Sequence, residues 1–276
     1  MGDRQRRLVL LSQYLVAHPL IQSSLTELSR RFNVAKSTLS EDLWFIKETL
    51  EREGLGTVES QVGVQGGIRY VPAIERQVLA ETLARWCQRL NEPDRMMSDG
   101  FLYMTDLLFN PRWIDPMARL LAARFGDMGI EFVATVETKG IPLAMACAAA
   151  LGSEVVLLRR DNRLSEGSSL SINYLSGSSH RIQSMSLSRR TSVRGGRVLF
   201  VDDFMKAGGT AKAAEDLLLE FDATVCGVGV LVATVEPSEK LVGQFSSCLE
   251  WDGTGRSAPV PSEWARVLCE SRVGED

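Results

Sequence analysis

The sequence predicts an α/β protein in two parts: a small N-terminal unit of three helices and a β-hairpin, then a larger domain built on a parallel sheet. Three observations predict it. Over residues 8–50 apolar side chains recur at spacings of three and four, the period of an amphipathic helix. Two short strand-like runs then flank a Gly-rich turn. From about residue 130 short apolar runs alternate with small-residue helical stretches, the order of a parallel sheet covered on both faces.

Within residues 1–73, Leu8, Leu11 and Leu15 give a first helix that ends before Pro19. Leu25, Leu28 and Phe32 give a second, opened by Ser24 or Thr26 with Glu27 in its first turn. After the turn Asn33-Val34-Ala35, the residues Leu39, Leu43, Ile46 and Leu50 form one apolar face of a third helix, and Gly54 ends it. Thr57-Val58 begins a strand, Gly63, Gly66 and Gly67 make a turn, Ile68 to Val71 run back, and Pro72 closes the unit. Three helices and a Gly-tipped hairpin in this order are those of a winged helix-turn-helix. Recognition helices present their N-terminal residues to bases and phosphates. Candidate DNA contacts are therefore Lys36, Ser37, Thr38 and Ser40 on the third helix, Arg6 and Arg7 on the first, and Arg69 on the wing, with Arg30 and Arg31 nearby. This part carries 9 Lys+Arg against 8 Asp+Glu, and the remainder 22 against 27. The halves differ in the sense that phosphate binding asks for, but only slightly, so a small interaction domain with a solvated charged face is the alternative.

Residues 74–276 form the second domain. Residues 74–95 and 111–127 read as helices, 131–136 as a strand, 142–151 as a helix and 154–158 as a strand. A strand over 196–201, a helix over 210–221 and a strand over 224–233 follow. Between them, residues 165–192 hold 11 Ser in 28 positions, with alternation kept in 169–175 and 181–188 around Ser-Gly-Ser-Ser; this predicts a hairpin beside the sheet. The stretch after 252 is rich in Gly, Ser and Pro, and Trp264 to Cys269 is a last helix.

The composition narrows the function classes. A chain of 276 residues with 45% hydrophobic and 24% charged residues is globular, not disordered or fibrous. A formal net charge of −4 excludes a protein that binds nucleic acid by bulk charge alone. Cys87, Cys147, Cys226, Cys248 and Cys269 contain no Cys-x-x-Cys pair, and with 2 His a structural zinc site is not expected. The expectation is reduced thiols, no membrane span, no signal peptide and a cytoplasmic protein.

The sharpest motif is Val198-Leu199-Phe200-Val201-Asp202-Asp203-Phe204-Met205-Lys206-Ala207-Gly208-Gly209-Thr210. An apolar strand leads to two carboxylates, then to a glycine loop that opens a helix. Amides at a helix N-terminus attract an anion, and glycines let the backbone approach it closely. Adjacent carboxylates accept hydrogen bonds from vicinal hydroxyls. A phosphate and a diol one sugar apart describe a ribose 5-phosphate, bound where open α/β sheets bind ligands, at a strand's carboxyl end.

This stretch resembles the phosphoribosyl pyrophosphate (PRPP) motif of type I phosphoribosyltransferases. Upstream, Thr138-Lys139-Gly140-Ile141-Pro142-Leu143-Ala144 resembles their pyrophosphate loop, and the Ser-rich hairpin with Arg159, Arg160 and Arg163 stands where those enzymes carry a hood loop. Lys36 to Leu43, Gly66 to Pro72, Glu166-Gly167-Ser168 through Ser179 and Asp202 to Thr210 together resemble the purine operon repressors of Gram-positive bacteria over nearly the whole chain, less so after about residue 235. The resemblance implies a homodimeric repressor that binds double-stranded DNA at purine-gene control regions and is released by PRPP, taken with or without Mg²⁺ as effector and not as substrate. Guanosine tetraphosphate would compete for the same place. Carried over, Asp202 and Asp203 bind the ribose hydroxyls, Phe204 and Lys206, Ala207, Gly208, Gly209 and Thr210 surround the 5-phosphate, and Thr138, Lys139 and Gly140 hold the pyrophosphate. Phe101 and Tyr103 stack on a purine ring or simply pack. Ala207 stands where transferases carry Thr, Lys206 where they carry a smaller residue, and no base-reading acid is evident near the C-terminal strand end. These departures favour a non-catalytic homologue over the alternatives, an active purine phosphoribosyltransferase or a repressor answering to another phosphorylated ligand.

Overall fold

The structure, a computed structural model, describes residues 2–61, 67–73, 75–97, 101–160, 167–175, 182–254 and 259–270. The chain divides into two compact units, Met1–Glu75 with Ala149–Gly152, and Arg76–Ala148 with Ser153–Asp276.

In the first unit α1 (Asp3–Ala17) stops ahead of Pro19. Helix α2 (Leu25–Phe32) opens on Ser24, whose hydroxyl accepts the Glu27 amide at 3.1 Å; of the two candidate caps, Thr26 lies inside the helix. Asn33 turns the chain in the left-handed region at φ 52°, and α3 (Lys36–Arg52) follows. Strands β1 (Gly56–Gln61) and β2 (Gly67–Pro72) pair antiparallel from Gly56 opposite Pro72 to Gln61 opposite Gly67. The turn expected at Gly63 and Gly66 lies outside the described residues. Leu11, Leu15, Leu28, Leu39, Leu43, Ile46 and Leu50 meet Val58, Ile68 and Tyr70 in one core, so the helical stripes of the sequence are the buried faces. One acid, Asp42, shares the buried stripe of α3.

The second unit begins with α4 (Arg76–Leu90), the short α5 (Thr105–Leu108) and α6 (Pro111–Phe125). Strand β3 (Phe132–Val136), α7 (Ile141–Leu151) and β4 (Glu154–Leu158) make one crossover. The hairpin β5 (Ser169–Leu175) and β6 (Ile182–Ser188) is antiparallel; Arg163, Glu166, Ser176 to Ser179 and Arg181 lie outside the described residues. Strand β7 (Arg197–Met205), α8 (Gly209–Leu219) and β8 (Thr224–Thr234) make the second crossover. Then come β9 (Ser246–Trp251), β10 (Val260–Pro261) and α9 (Glu263–Glu270). The sheet order is β10-β9-β8-β7-β3-β4, parallel except for the antiparallel edge strand β10.

Alternate residues of β8 serve the two faces, as strand geometry requires. Val228 and Val230 join the core under α8 and the β5–β6 hairpin. Gly227 and Gly229 face α6: a Cβ at Gly227 would stand 2.5 Å from the Phe125 ring, so only glycine lets that ring lie on the backbone. Cys147 of α7 donates its thiol to the Ala118 carbonyl of α6, which puts both helices on that face. The described residues contain no helix long and apolar enough to cross a membrane. All five cysteines are free thiols.

Two differences from the sequence reading matter. Strand β7 runs on to Met205 because Asp202, Phe204 and Met205 pair with β8, so the two carboxylates lie inside the strand and not beyond it. Strands β9 and β10 were not expected. Ser246–Trp251 has little apolar periodicity of its own, and pairing with β8 makes it a strand.

Candidate ligand cleft and nucleic-acid interface

The parallel neighbours β3 and β7 end side by side, and their carboxyl ends open into a cavity of about 540 Å³. Asp202 and Asp203, the loop Lys206 to Thr210, Thr138 and Lys139, Arg160 and Phe101 all line it. Two sequence motifs about sixty residues apart are thus brought to one cleft because adjacent parallel strands deliver their following loops to the same end. Gly208 has φ +85°, a left-handed turn that only glycine adopts without strain, and it feeds the chain into α8 at Gly209. The first-turn amides of an α-helix lack intrahelical acceptors and so suit an anion.

Burial pushes both carboxyls of the pair above their usual range. Asp202 is raised further by the neighbouring Asp203 charge. For Asp203, the hydrogen bond with Asp202 and the charges of Lys139 and Arg160 oppose the rise. The Asp203 amide donates to Asp202 Oδ1 at 3.0 Å. Both residues are half-buried, and in the ionised form their oxygens are acceptors for hydroxyls.

Gly140 is buried under the pyrophosphate-type loop rather than on the cavity wall. A Cβ there would stand 2.2 Å from Thr135 Oγ1 and 3.0 Å from Asp202 Oδ1, so the loop comes this close to the carboxylate pair only with glycine. Thr135 Oγ1 is itself buried without a hydrogen-bond partner among the described residues.

Arg160 is the cleft residue that sequence reasoning assigned only to the hood. Its position there is set by Glu137: the Arg160 amide donates to Glu137 Oε1 at 3.0 Å and its Nε to the Glu137 carbonyl at 3.3 Å, while Arg159 Nη1 donates to Glu137 Oε2 at 2.9 Å. A second addition is the role of Phe204 as a ring facing Phe101, with centroids 6.1 Å apart and planes at 51°. Tyr103 is not brought to the cleft. Its ring, 43% exposed, lies 6.0 Å from the Arg95 guanidinium carbon. Arg95 is buried and holds Asp106 through both oxygens at 2.7 and 2.8 Å and the Tyr103 carbonyl at 3.1 Å, anchoring the segment that carries Phe101.

In the first unit Lys36, Ser37 and Ser40 are exposed on the opening turns of α3 and Thr38 is half-buried. Ser40 donates its hydroxyl back to the Lys36 carbonyl at 2.9 Å. Arg6 is exposed. Arg7 is engaged within the unit: its side chain is only 14% exposed and its Nε donates to Asp42 Oδ2 at 2.6 Å. Arg4, on the same carboxylate at 3.2 Å, is the exposed member of that cluster. Arg69 is likewise engaged, with Nη2 2.7 Å from Glu59 Oε2 across the hairpin. Both cations were matched to acids that sequence spacing does not place beside them. Trp44, 66% exposed on α3, is a further outward side chain of this helix that the sequence reading did not single out.

A winged-helix unit with a polar, exposed start to its third helix, followed by a phosphoribosyltransferase-like domain with a carboxylate-lined cleft, is the domain order of a class of DNA-binding regulators. Residues 3–72 match the family model described as bacterial purine repressor, N-terminal, and residues 104–263 match the phosphoribosyl transferase domain. The purine biosynthesis transcriptional repressor PurR of Bacillus subtilis (strain 168) is 45% identical over 246 residues, 89% of this chain and 86% of that protein. The purine biosynthesis transcriptional activator PurR of Lactococcus lactis subsp. lactis is 38% identical over 90% of this chain and 92% of that protein. In fold, the adenine phosphoribosyltransferase of Rhodothermus marinus matches with a TM-score of 0.52 and 20% identity, covering 62% of this chain and 99% of that one. The chain belongs to the PurR family of purine biosynthesis transcriptional regulators. Its second unit is therefore the phosphoribosyltransferase-like module of a regulator and not a transferase.

Proposed function

We propose that this chain is a cytoplasmic, homodimeric repressor of purine-synthesis genes, and that PRPP bound in the cleft of its second unit weakens its hold on DNA. One observation carries the ligand assignment: a single cavity is lined by two carboxylates, a glycine loop at a helix N-terminus, and Thr138 and Lys139. These are acceptors for the ribose diol, donors for the 5-phosphate and donors for the pyrophosphate, the three kinds of group that PRPP carries. Arg160 adds a guanidinium, suited to phosphate oxygens by its fixed fork of donors.

Mg²⁺ would arrive on the pyrophosphate oxygens. Among the described residues no group of three or more His, Cys, Asp or Glu stands together to hold it alone. A ligand carrying a guanine base, such as guanosine tetraphosphate, would place its ring against Phe101 and Phe204 and compete with PRPP.

The regulation is a linkage. PRPP weakens DNA binding only to the extent that it binds the DNA-free protein more tightly. The sign of control is assigned as repression because the 45% identical relative is named a repressor. The Lactococcus relatives, named activators, supply the second reading, in which the same cleft strengthens a productive complex.

The test is a DNA titration on a purine-gene control region with and without PRPP. Weaker binding with PRPP is expected. Unchanged affinity removes PRPP as effector, and tighter binding favours activation. Mixing the protein with PRPP, Mg²⁺ and each purine base should yield no nucleotide; turnover at ordinary enzymatic rates would overturn the sensor reading.

A further inference from the structure

We propose that Lys240 is a positioning residue for the phosphate loop: from behind the loop it turns the Ala207 and Gly208 amides into the cleft. This rests on the reading of Lys206 to Thr210 as a phosphate site and assigns a residue outside every motif above.

Lys240 lies in the segment between β8 and β9, and its Nζ donates to the Lys206 carbonyl at 2.6 Å and to the Thr234 carbonyl at 2.7 Å, with Thr234 Oγ1 at 3.4 Å. The next amide, Leu241 N–H, donates to the Ala207 carbonyl at 2.9 Å. Two consecutive carbonyls of the loop are therefore held on one side by consecutive residues of another segment. A trans peptide is planar, so the carbonyl of one residue and the N–H of the next point opposite ways. With the Lys206 carbonyl fixed toward Lys240, the Ala207 N–H points away from it. With the Ala207 carbonyl fixed toward Leu241, so does the Gly208 N–H. Both residues line the cleft, which is where those donors are aimed.

A lysine suits this place. Its ammonium has three donors and no acceptor, and three oxygens converge on it. Bonds from a charged donor are the strong ones, and the charge stands behind a loop that receives a dianion. Partial burial pulls the Lys240 pKa down, opposed by Glu236. The ammonium is thus held where solvent alone would not favour it. Merely packed side chains do not show this pattern of donors.

The experiment measures the binding of ribose 5-phosphate and, separately, of inorganic pyrophosphate to the full chain and to the variants Lys240→Met and Lys240→Arg. Lys240→Met should bind ribose 5-phosphate about tenfold or more weakly, the cost of losing charge-assisted bonds that order the loop. Pyrophosphate, held by the loop at Thr138 and Lys139, should change by less than about twofold on the same grounds of distance and independence. Lys240→Arg, which keeps the charge, should recover part of the loss. Amide hydrogen exchange of Ala207 and Gly208 in the ligand-free protein should be faster in Lys240→Met. Unchanged ribose 5-phosphate affinity, unchanged amide exchange, or a parallel loss for both ligands each overturns the proposal. If the unaltered protein does not bind ribose 5-phosphate at all, the phosphate-site reading fails instead, and amide exchange still decides whether Lys240 orders the loop.

Discussion

Two carboxylate sites, one in each unit, treat their charge in opposite ways. In the first, the buried carboxylate of Asp42 is matched by Arg7 at 2.6 Å and Arg4 at 3.2 Å, and Arg69 is matched by Glu59. In the second, Asp202 and Asp203 line a cavity side by side, and burial raises both. A buried ion pair with its charge cancelled is a fastening: it fixes how two helices meet and leaves nothing for a ligand. Two half-buried carboxyls side by side, both pushed upward, are a feature that functional clefts concentrate. The same logic sorts the cations. Arg7, Arg69 and Arg95 are matched to acids inside the fold, whereas Lys139 and Arg160 line the cleft.

The comparison can be broken most sharply at Asp42. Asp42→Ala leaves the Arg7 guanidinium buried without its counter-charge, and should destabilise the first unit by about 3–5 kcal/mol, as removal of one member of a buried pair does. Most of that comes from Arg7, because Arg4 is 60% exposed and its pair is worth little. Charge alone would make loss of an acid strengthen DNA binding. The expected outcome is weaker binding in a DNA titration, with a lowered thermal midpoint by circular dichroism. Tighter binding would mean that Asp42 is no fastening.

Next in size is Asp203→Ala. Losing charge-assisted acceptors for a hydroxyl should weaken PRPP by roughly a hundredfold, or ~3 kcal/mol, measured by calorimetry. DNA affinity without PRPP should stay as it was, and the response to PRPP should vanish. Loss of DNA binding as well would make the carboxylate pair a structural element like Asp42.

A smaller effect separates free from engaged arginines. Arg6→Ala should reduce the slope of log affinity against log salt by about 1, the loss of a single phosphate contact. Arg69→Ala should change it less, because Glu59 already neutralises that cation. Equal slopes would show that the hairpin ion pair opens on DNA.

The smallest effect lies in the pH dependence of stability. Burial raises the Asp202 carboxyl above its ordinary 3.8, so the folded state holds a proton that the unfolded chain releases. Stability is greatest below the ordinary value and falls as pH rises through the raised one. The thermal midpoint of the unaltered protein should therefore fall relative to that of Asp202→Asn as pH rises from about 4 to 8, while PRPP binding is lost in the variant. A midpoint difference that does not change with pH would sink this account.

Much of the fold was legible in the sequence because its signals are local. The stripe Leu39, Leu43, Ile46 and Leu50 has the helical period, and it is the buried face of α3. The apolar run before Asp202 reads as a central strand because both of its faces are covered. The cleft was legible at Asp202, Asp203 and Lys206 to Thr210 for the same reason: a strand, a carboxylate pair and a glycine turn follow one another in the chain. Asp42, on the same buried face, was found only in the structure, with its partners Arg7 and Arg4.

What the sequence determined by itself is thus the set of elements, their order and the chemistry of each loop, since these depend on residues within a few positions of one another. Only the tertiary structure decided which groups meet. It made Ser246–Trp251 a strand by pairing it with β8. It took Arg7 and Arg69 out of the free cations and left Tyr103 against Arg95. It also set Lys240 on the carbonyl of Lys206, 34 residues away. Period and spacing report the faces a segment must bury. Hydrogen bonds and ion pairs act over about 3 Å between atoms far apart along the chain, and only packing brings those atoms within that reach.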